Sequence, residues 1–322
     1  MNSRITLLGG LLIVQLLIVL LISVNARSPE PIGGLVDLDP AAVTRLTVTD
    51  ADGTSVTLQK SADGWLMENG ARADAEKIAS VIERLAGMQS LWPVAATSSS
   101  QSRFEVADAG YQRRLEFSGA GVESRIYLGS SPGYRRVHAR NGDSDDVFSI
   151  EFANHEVPTD VSEWVDQSQL QVQGITKLTL QDGWTLSVAG DEWLIDGAGA
   201  DADKAQAMVR RVEQLRVLGV YSGDETALET ARELNVTAGG EDFTMTLRHD
   251  PAADEYVVTS TRTPGTFTLA SHIAEQILLG PEELQIAPSA TDGDEEPGSS
   301  LMESLIEDAT TTMTKDSTAG DS

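Results

Sequence analysis

The sequence predicts an α+β protein: an N-terminal transmembrane helix followed by two repeated α+β units, each built on antiparallel sheet. Three observations predict it. Ile5 to Val24 is an apolar run without a charge. Strands with period-two alternation recur at matching places in the two halves. Each half also holds one amphipathic helix that opens on an Ala-Asp pair.

Taken as a helix, the run Ile5 to Val24 spans about 30 Å, the thickness of a bilayer core. Arg4 and the amino terminus precede it, and positive flanks stay cytoplasmic. Residues 1–27 are therefore expected to be a signal-anchor in the inner (cytoplasmic) membrane, single-pass, with the bulk in the periplasm or outside. Val24-Asn25-Ala26 also has the small-residue spacing of a cleavage site, so a removed secretory signal is the alternative. Residues 28–40, with Pro29, Pro31, Gly33 and Gly34, read as a linker.

The repeat comes next. Val43-Thr44-Arg45-Leu46-Thr47-Val48 matches Ile175-Thr176-Lys177-Leu178-Thr179-Leu180, and both read as half-buried strands. Second strands follow at 55–58 and 184–188, after turns carrying Asp52-Gly53 and Asp182-Gly183. Asp63-Gly64-Trp65-Leu66 then matches Asp191-Glu192-Trp193-Leu194. Asp74 and Asp201 are set to cap helices carrying Ile78, Val81, Ile82, Leu85 and Met208, Val209, Val212, Leu215 on one face. Leu91–Val94 and Leu218–Tyr221 read as short return strands. Further on, Phe104-Glu105-Val106 parallels Leu234-Asn235-Val236, each followed by an alternating strand, 114–117 or 243–247. Residues 147–150 echo 266–269. The units are expected over 41–170 and 171–287, with a strand region at 122–150 that the second compresses. Residues 288–322, rich in Ser, Thr, Asp and Gly, read as a disordered acidic tail, with 301–307 able to form a short helix on a partner.

With its Val43-Thr44-Arg45-Leu46 strand, Gly64-Trp65-Leu66 strand and Ala73-Asp74-Ala75-Glu76-Lys77 helix start, the chain resembles the family catalogued as domain of unknown function 4340. The second copy departs by placing Glu192 before Trp193. Those motifs are structural and bring no catalytic residue. The resemblance implies an auxiliary role beside an ABC-type transport complex of the gliding-motility kind.

Fifty acidic side chains against 23 basic ones give a net charge of −27, which argues against a nucleic-acid partner. The absence of cysteine removes disulfides, thiolate metal sites and cysteine nucleophiles. Gly129-Ser130-Ser131-Pro132-Gly133 fits the G-x-S-x-G pattern, but a nucleophile elbow needs a helix after it, and 134–140 alternates as a strand. Neither Asp50 nor Asp143 opens a complete calcium loop, because Ser61 and Asn154 stand where the closing glutamate belongs. His138, His155, His249 and His272 lie far apart, and Trp65 and Trp193 read as core. Neither a cofactor nor a metal is expected.

One segment departs from the acidic background. Residues 103–140 carry Arg103, Arg113, Arg114, Arg125, Arg135, Arg136 and Arg140 against four acids. Strand alternation puts Arg136, His138 and Arg140 on one face. Arg135, Arg136, His138 and Arg140 are thus the candidate contact for an anionic ligand or a partner. The expected function is that of a non-enzymatic, membrane-anchored accessory subunit touching a multi-span permease and its ATPase. The alternative is a cell-envelope module that binds an anionic glycan or lipid headgroup.

Overall fold

The computed structural model describes residues 12–16, 34–89, 92–229 and 231–278. They belong to one compact unit, Met1–Leu284; Gln285–Ser322, including the expected short helix at 301–307, lies outside the described residues. The first sheet contains β1 (Val43–Asp50), β2 (Ser55–Ser61), β3 (Gly64–Met67), β4 (Pro93–Ala95), β7 (Arg113–Gly119), β8 (Val122–Leu128), β9 (Val137–Asn141) and β10 (Val147–Ile150). Between β4 and β7 lie a helical turn and a separate hairpin, β5 (Val106–Ala107) with β6 (Gly110–Tyr111). The second sheet contains β11 (Ile175–Leu180), β12 (Thr185–Ala189), β13 (Glu192–Ile195), β14 (Ala198–Gly199), β15 (Gly219–Val220), β16 (Arg232–Ala238), β17 (Glu241–Asp250), β18 (Glu255–Ser260) and β19 (Thr266–Leu269).

Both sheets follow one plan. The orders are β3-β2-β1-β7-β8-β9-β10-β4 and β14-β13-β12-β11-β16-β17-β18-β19-β15. Even an irregularity repeats: the register slips at Thr44 against β7 and at Thr176 against β16. The bulged threonines donate to the carbonyls of Ser118 and Thr237, both at 3.4 Å.

One long helix lies in each copy, α1 (Ala75–Ala86) and α3 (Ala202–Glu213), with the shorter α2 (Ser98–Arg103) and α4 (Ser271–Ile277) elsewhere. Asp74 Oδ1 accepts from the Lys77 amide at 3.0 Å, and Asp201 Oδ1 from the amides of Asp203 and Lys204. These caps satisfy donors that a helix start leaves free. α1 buries Ile78, Val81, Ile82 and Leu85; α3 buries Ala205, Met208, Val209 and Val212. A single apolar core runs through both copies.

The α+β class gives way to a mostly antiparallel β protein, because each copy has one long helix against a sheet of eight or nine strands, and the strands carry most of the core. The expected transmembrane helix and single-pass inner-membrane placement are corrected to a narrower statement: among the described residues no helix is long and apolar enough to cross a membrane. Of the run 5–24, only 12–16 is described, a helical stretch of about 7.5 Å by helix rise; the rest lies outside the described residues. Leu234 and Val236 correspond to Leu115 and Phe117, since β16 pairs with β11 as β7 pairs with β1; Phe104-Glu105-Val106 has no counterpart. The second copy compresses nothing at 122–150. The first copy instead carries an insertion between β4 and β7.

Residues 151–172 join the copies. A 3-10 turn, Val161–Trp164, buries Trp164, whose Nε1 donates to the Pro158 carbonyl at 2.9 Å. Ser162 Oγ is 3.1 Å from the Val220 amide and 3.2 Å from its carbonyl, so it closes the β15 edge.

Candidate functional site

The arginine-rich segment of the first copy is the place where the two copies differ most. β8, β9 and β10 align Tyr127 with Arg140 and Arg140 with Val147 on the outer face of the sheet. The equivalent positions of the second copy are Thr246, Thr259 and Thr266, which water can solvate. In the first copy α2 and the β5–β6 hairpin cover that face. Val106, Tyr127 and Val147 form a small second core, with Ala95, Phe104 and Tyr111 packed against it.

Arg140 is the fastener of this cover. It is only 3% exposed. Its Nε donates to the Val106 carbonyl at 2.7 Å, and its guanidinium lies 4.5 Å from the Tyr127 ring centre. One terminal nitrogen reaches the carbonyls of Asn141, Gly142 and Ser144; the other joins Asp108. That bond holds the Asp108 carboxyl below the usual carboxylate range. A buried guanidinium needs this degree of satisfaction.

His138, also buried, lies 3.2 Å through Nδ1 from Ser130 Oγ and 4.2 Å, ring to ring, from Phe104. Burial lowers its pKa from an ordinary 6.5, and the Arg103 charge acts the same way. The unfolded chain then accepts a proton that the folded chain refuses. This contribution to stability is complete above about pH 6.5 and is lost as pH falls below it. Urea midpoints taken from about pH 7.5 to 5 should fall, and His138→Phe should flatten that part of the profile. An unchanged slope in the variant would contradict the assignment.

The other arginines have local duties. Arg113 donates to the carbonyls of Val157 and Gln112, and Arg114 and Arg125 share Glu116. Arg103 lies over Phe104. Arg136 Nε donates to Ser149 Oγ at 3.0 Å. Among the described residues Arg135 makes no hydrogen bond, ion pair or ring contact, and it sits at φ 51° beside Tyr134, which is 90% exposed. The structure therefore does not gather Arg135, Arg136, His138 and Arg140 on an open face: Arg140 and His138 are inside, Arg136 is engaged, and Arg135 stands free with Tyr134.

Gly129-Ser130-Ser131-Pro132-Gly133 forms the turn ahead of β9. Ser131 Oγ lies 2.8 Å and 2.7 Å from the carbonyls of Gly133 and Arg136. The first glycine answers to packing, since a Cβ there would stand 2.0 Å from the Phe104 carbonyl. Sequence alternation missed the cover because it reports which face a side chain takes and not what lies above it. The signal available was apolar Tyr127 and Val147 at outward positions, with unplaced Phe104, Val106 and Tyr111.

A concavity of about 890 Å³ lies between the copies at the start of α1, where Trp65, Asp74, Glu163 and Leu218 line it. Arg72 meets Asp166 there at 3.3 Å, and Arg216 donates to Gln167 Oε1 at 2.7 Å.

The model of the family described as domain of unknown function (DUF4340) matches residues 69–234. The chain belongs to the DUF4340 family. The matched span of this DUF4340 protein runs from the β3–α1 connection to β16, so it straddles both copies and the joining segment. No curated protein and no solved structure matches the chain.

Proposed function

We propose that this protein is a non-enzymatic accessory subunit acting by protein–protein contact, and that its partner is the permease–ATPase assembly of an ABC-type transporter. The transporter follows from what the family resemblance implies. The contact reading is supported by one observation: the fixed turn 129–136 holds Tyr134 and Arg135 out in solvent. The Gly129 amide donates to the His138 carbonyl and the His138 amide to the Ser130 carbonyl, both at 2.9 Å. Tyrosine and arginine on a pre-ordered support are the residue types that dominate binding energy at interfaces. In a chain of net charge −27, a basic tip selects an acidic patch on its partner.

The anionic-glycan reading needs an open row of cations, and it loses support because Arg140 and His138 are buried. Tyr134→Ser with Arg135→Glu should leave the unfolding midpoint unchanged and reduce recovery of permease and ATPase with the tagged full chain about 30-fold. Undiminished recovery overturns the contact site. Recovery of the unmodified protein alone, with cross-linking shown to work on a control complex, overturns the accessory role.

A further inference from the structure

The first copy closes one edge of its sheet with its own chain. Arg72 bridges Leu66, and Ala73 bridges Val165 of the joining segment. The Asp74 amide donates to the Trp164 carbonyl at 2.7 Å, and the Asp166 amide to the Arg72 carbonyl at 2.9 Å. Lys77 Nζ donates to the Glu163 carbonyl at 2.8 Å and lies 4.6 Å from the Trp164 ring centre. Val165, extended at the end of the 3-10 turn Val161–Trp164, is thus bridged to the sheet edge, and a lysine from the neighbouring helix holds the turn.

The second copy builds the same edge, and among the described residues no segment is seated on it. Leu194 pairs with Gly199 as Leu66 pairs with Arg72. The Ala200 amide donates to the Trp193 carbonyl at 2.9 Å, as the Ala73 amide does to Trp65 at 2.8 Å. Asp201 and Lys204 stand where Asp74 and Lys77 stand. The alternation of antiparallel pairs turns the N–H and C=O of Gly199 away from β13. Among the described residues nothing bonds the Gly199 carbonyl or the Asp201 amide. Ala198, Gly199 and Lys204 are exposed where Ala71 is buried and Lys77 half-buried; Trp193 is half-buried where Trp65 is buried.

We propose that residues 198–201 are a docking edge for an extended segment of a partner protein, added as a strand, with a large apolar side chain flanked by basic residues. The bridge at Val165, with the two backbone hydrogen bonds that flank it on the equivalent edge, shows the start of that mode. The flanking charge is set by the surroundings. Arg72, which receives Asp166, is replaced by Gly199, and Asp191, Glu192, Asp196 and Asp203 ring the edge. An open edge of this kind is what native sheets otherwise cover. This interface is separate from the Tyr134 turn, and either can fail alone.

The test uses the full chain and a labelled peptide copying residues 160–168 with Asp160→Lys, Glu163→Lys and Asp166→Lys, followed by fluorescence anisotropy. Saturable binding is expected. It should weaken about tenfold when the amide nitrogen of position 166 is methylated, which removes the donor aimed at the Gly199 carbonyl. Gly199→Pro should abolish it. No saturable binding, equal affinity for the methylated peptide, or retained binding by Gly199→Pro overturns the proposal. Binding to a chain ended after residue 278 but not to the full chain also overturns it, by giving the edge to this chain's own residues.

Discussion

Trp164→Ala should destabilise the protein by about 3–5 kcal/mol, the usual cost of emptying a buried tryptophan site. Trp164 is fully buried in a core that both copies share. Its carbonyl accepts from Asp74 at the cap of α1, and its neighbour Val165 bridges Ala73. Loss of the ring therefore loosens the joining segment where it touches the first copy, and Ser162 of the same turn holds the β15 edge of the second. Urea unfolding followed by far-ultraviolet circular dichroism should show one transition moved to lower denaturant. Two transitions, with only one of them moved, would mean that the copies unfold independently.

Arg140→Ala should cost about 2–4 kcal/mol, because it strips the Val106 carbonyl of a buried donor and opens a void beside Tyr127. Its ion-pair partner should matter far less. The Asp108 side chain is 78% exposed, so the solvent-screened pair contributes little, and Asp108→Ala should cost under about 1 kcal/mol. Hydrogen exchange locates the effect. Exchange at residues 98–111 should rise in Arg140→Ala while β1 and β11 keep their protection. Equal costs for the two substitutions would show that the charge pair, and not the carbonyl cradle, holds the insertion.

Local signals carried a good part of this architecture. The strands around Leu46 and Leu178 alternate cleanly because one face is buried, and Asp74 and Asp201 announce their helices through cap chemistry. Non-local pairing was harder to read. Phe104-Glu105-Val106 has the apolar-polar-apolar look of Leu234-Asn235-Val236, yet only the latter pairs with an opening strand, and spacing alone does not reveal which partner a short strand finds. The arginine row failed for a related reason. Alternation put His138 and Arg140 on one side of β9, but the insertion that buries that side comes from far upstream, and its cover depends on Arg140 finding the Val106 carbonyl 34 residues away. Tyr134 and Arg135 stand out in solvent because the neighbouring arginines are engaged by the fold, and those partners are non-local in sequence.

Placing a photo-crosslinking amino acid at Tyr134 of the full-length protein in living cells tests the contact reading most directly, with the exposed Lys60 as the control position. A covalent adduct with a permease or ATPase component is expected from position 134 and none from position 60. No adduct from 134 under conditions that label a control complex, or the same adduct from both positions, would contradict it.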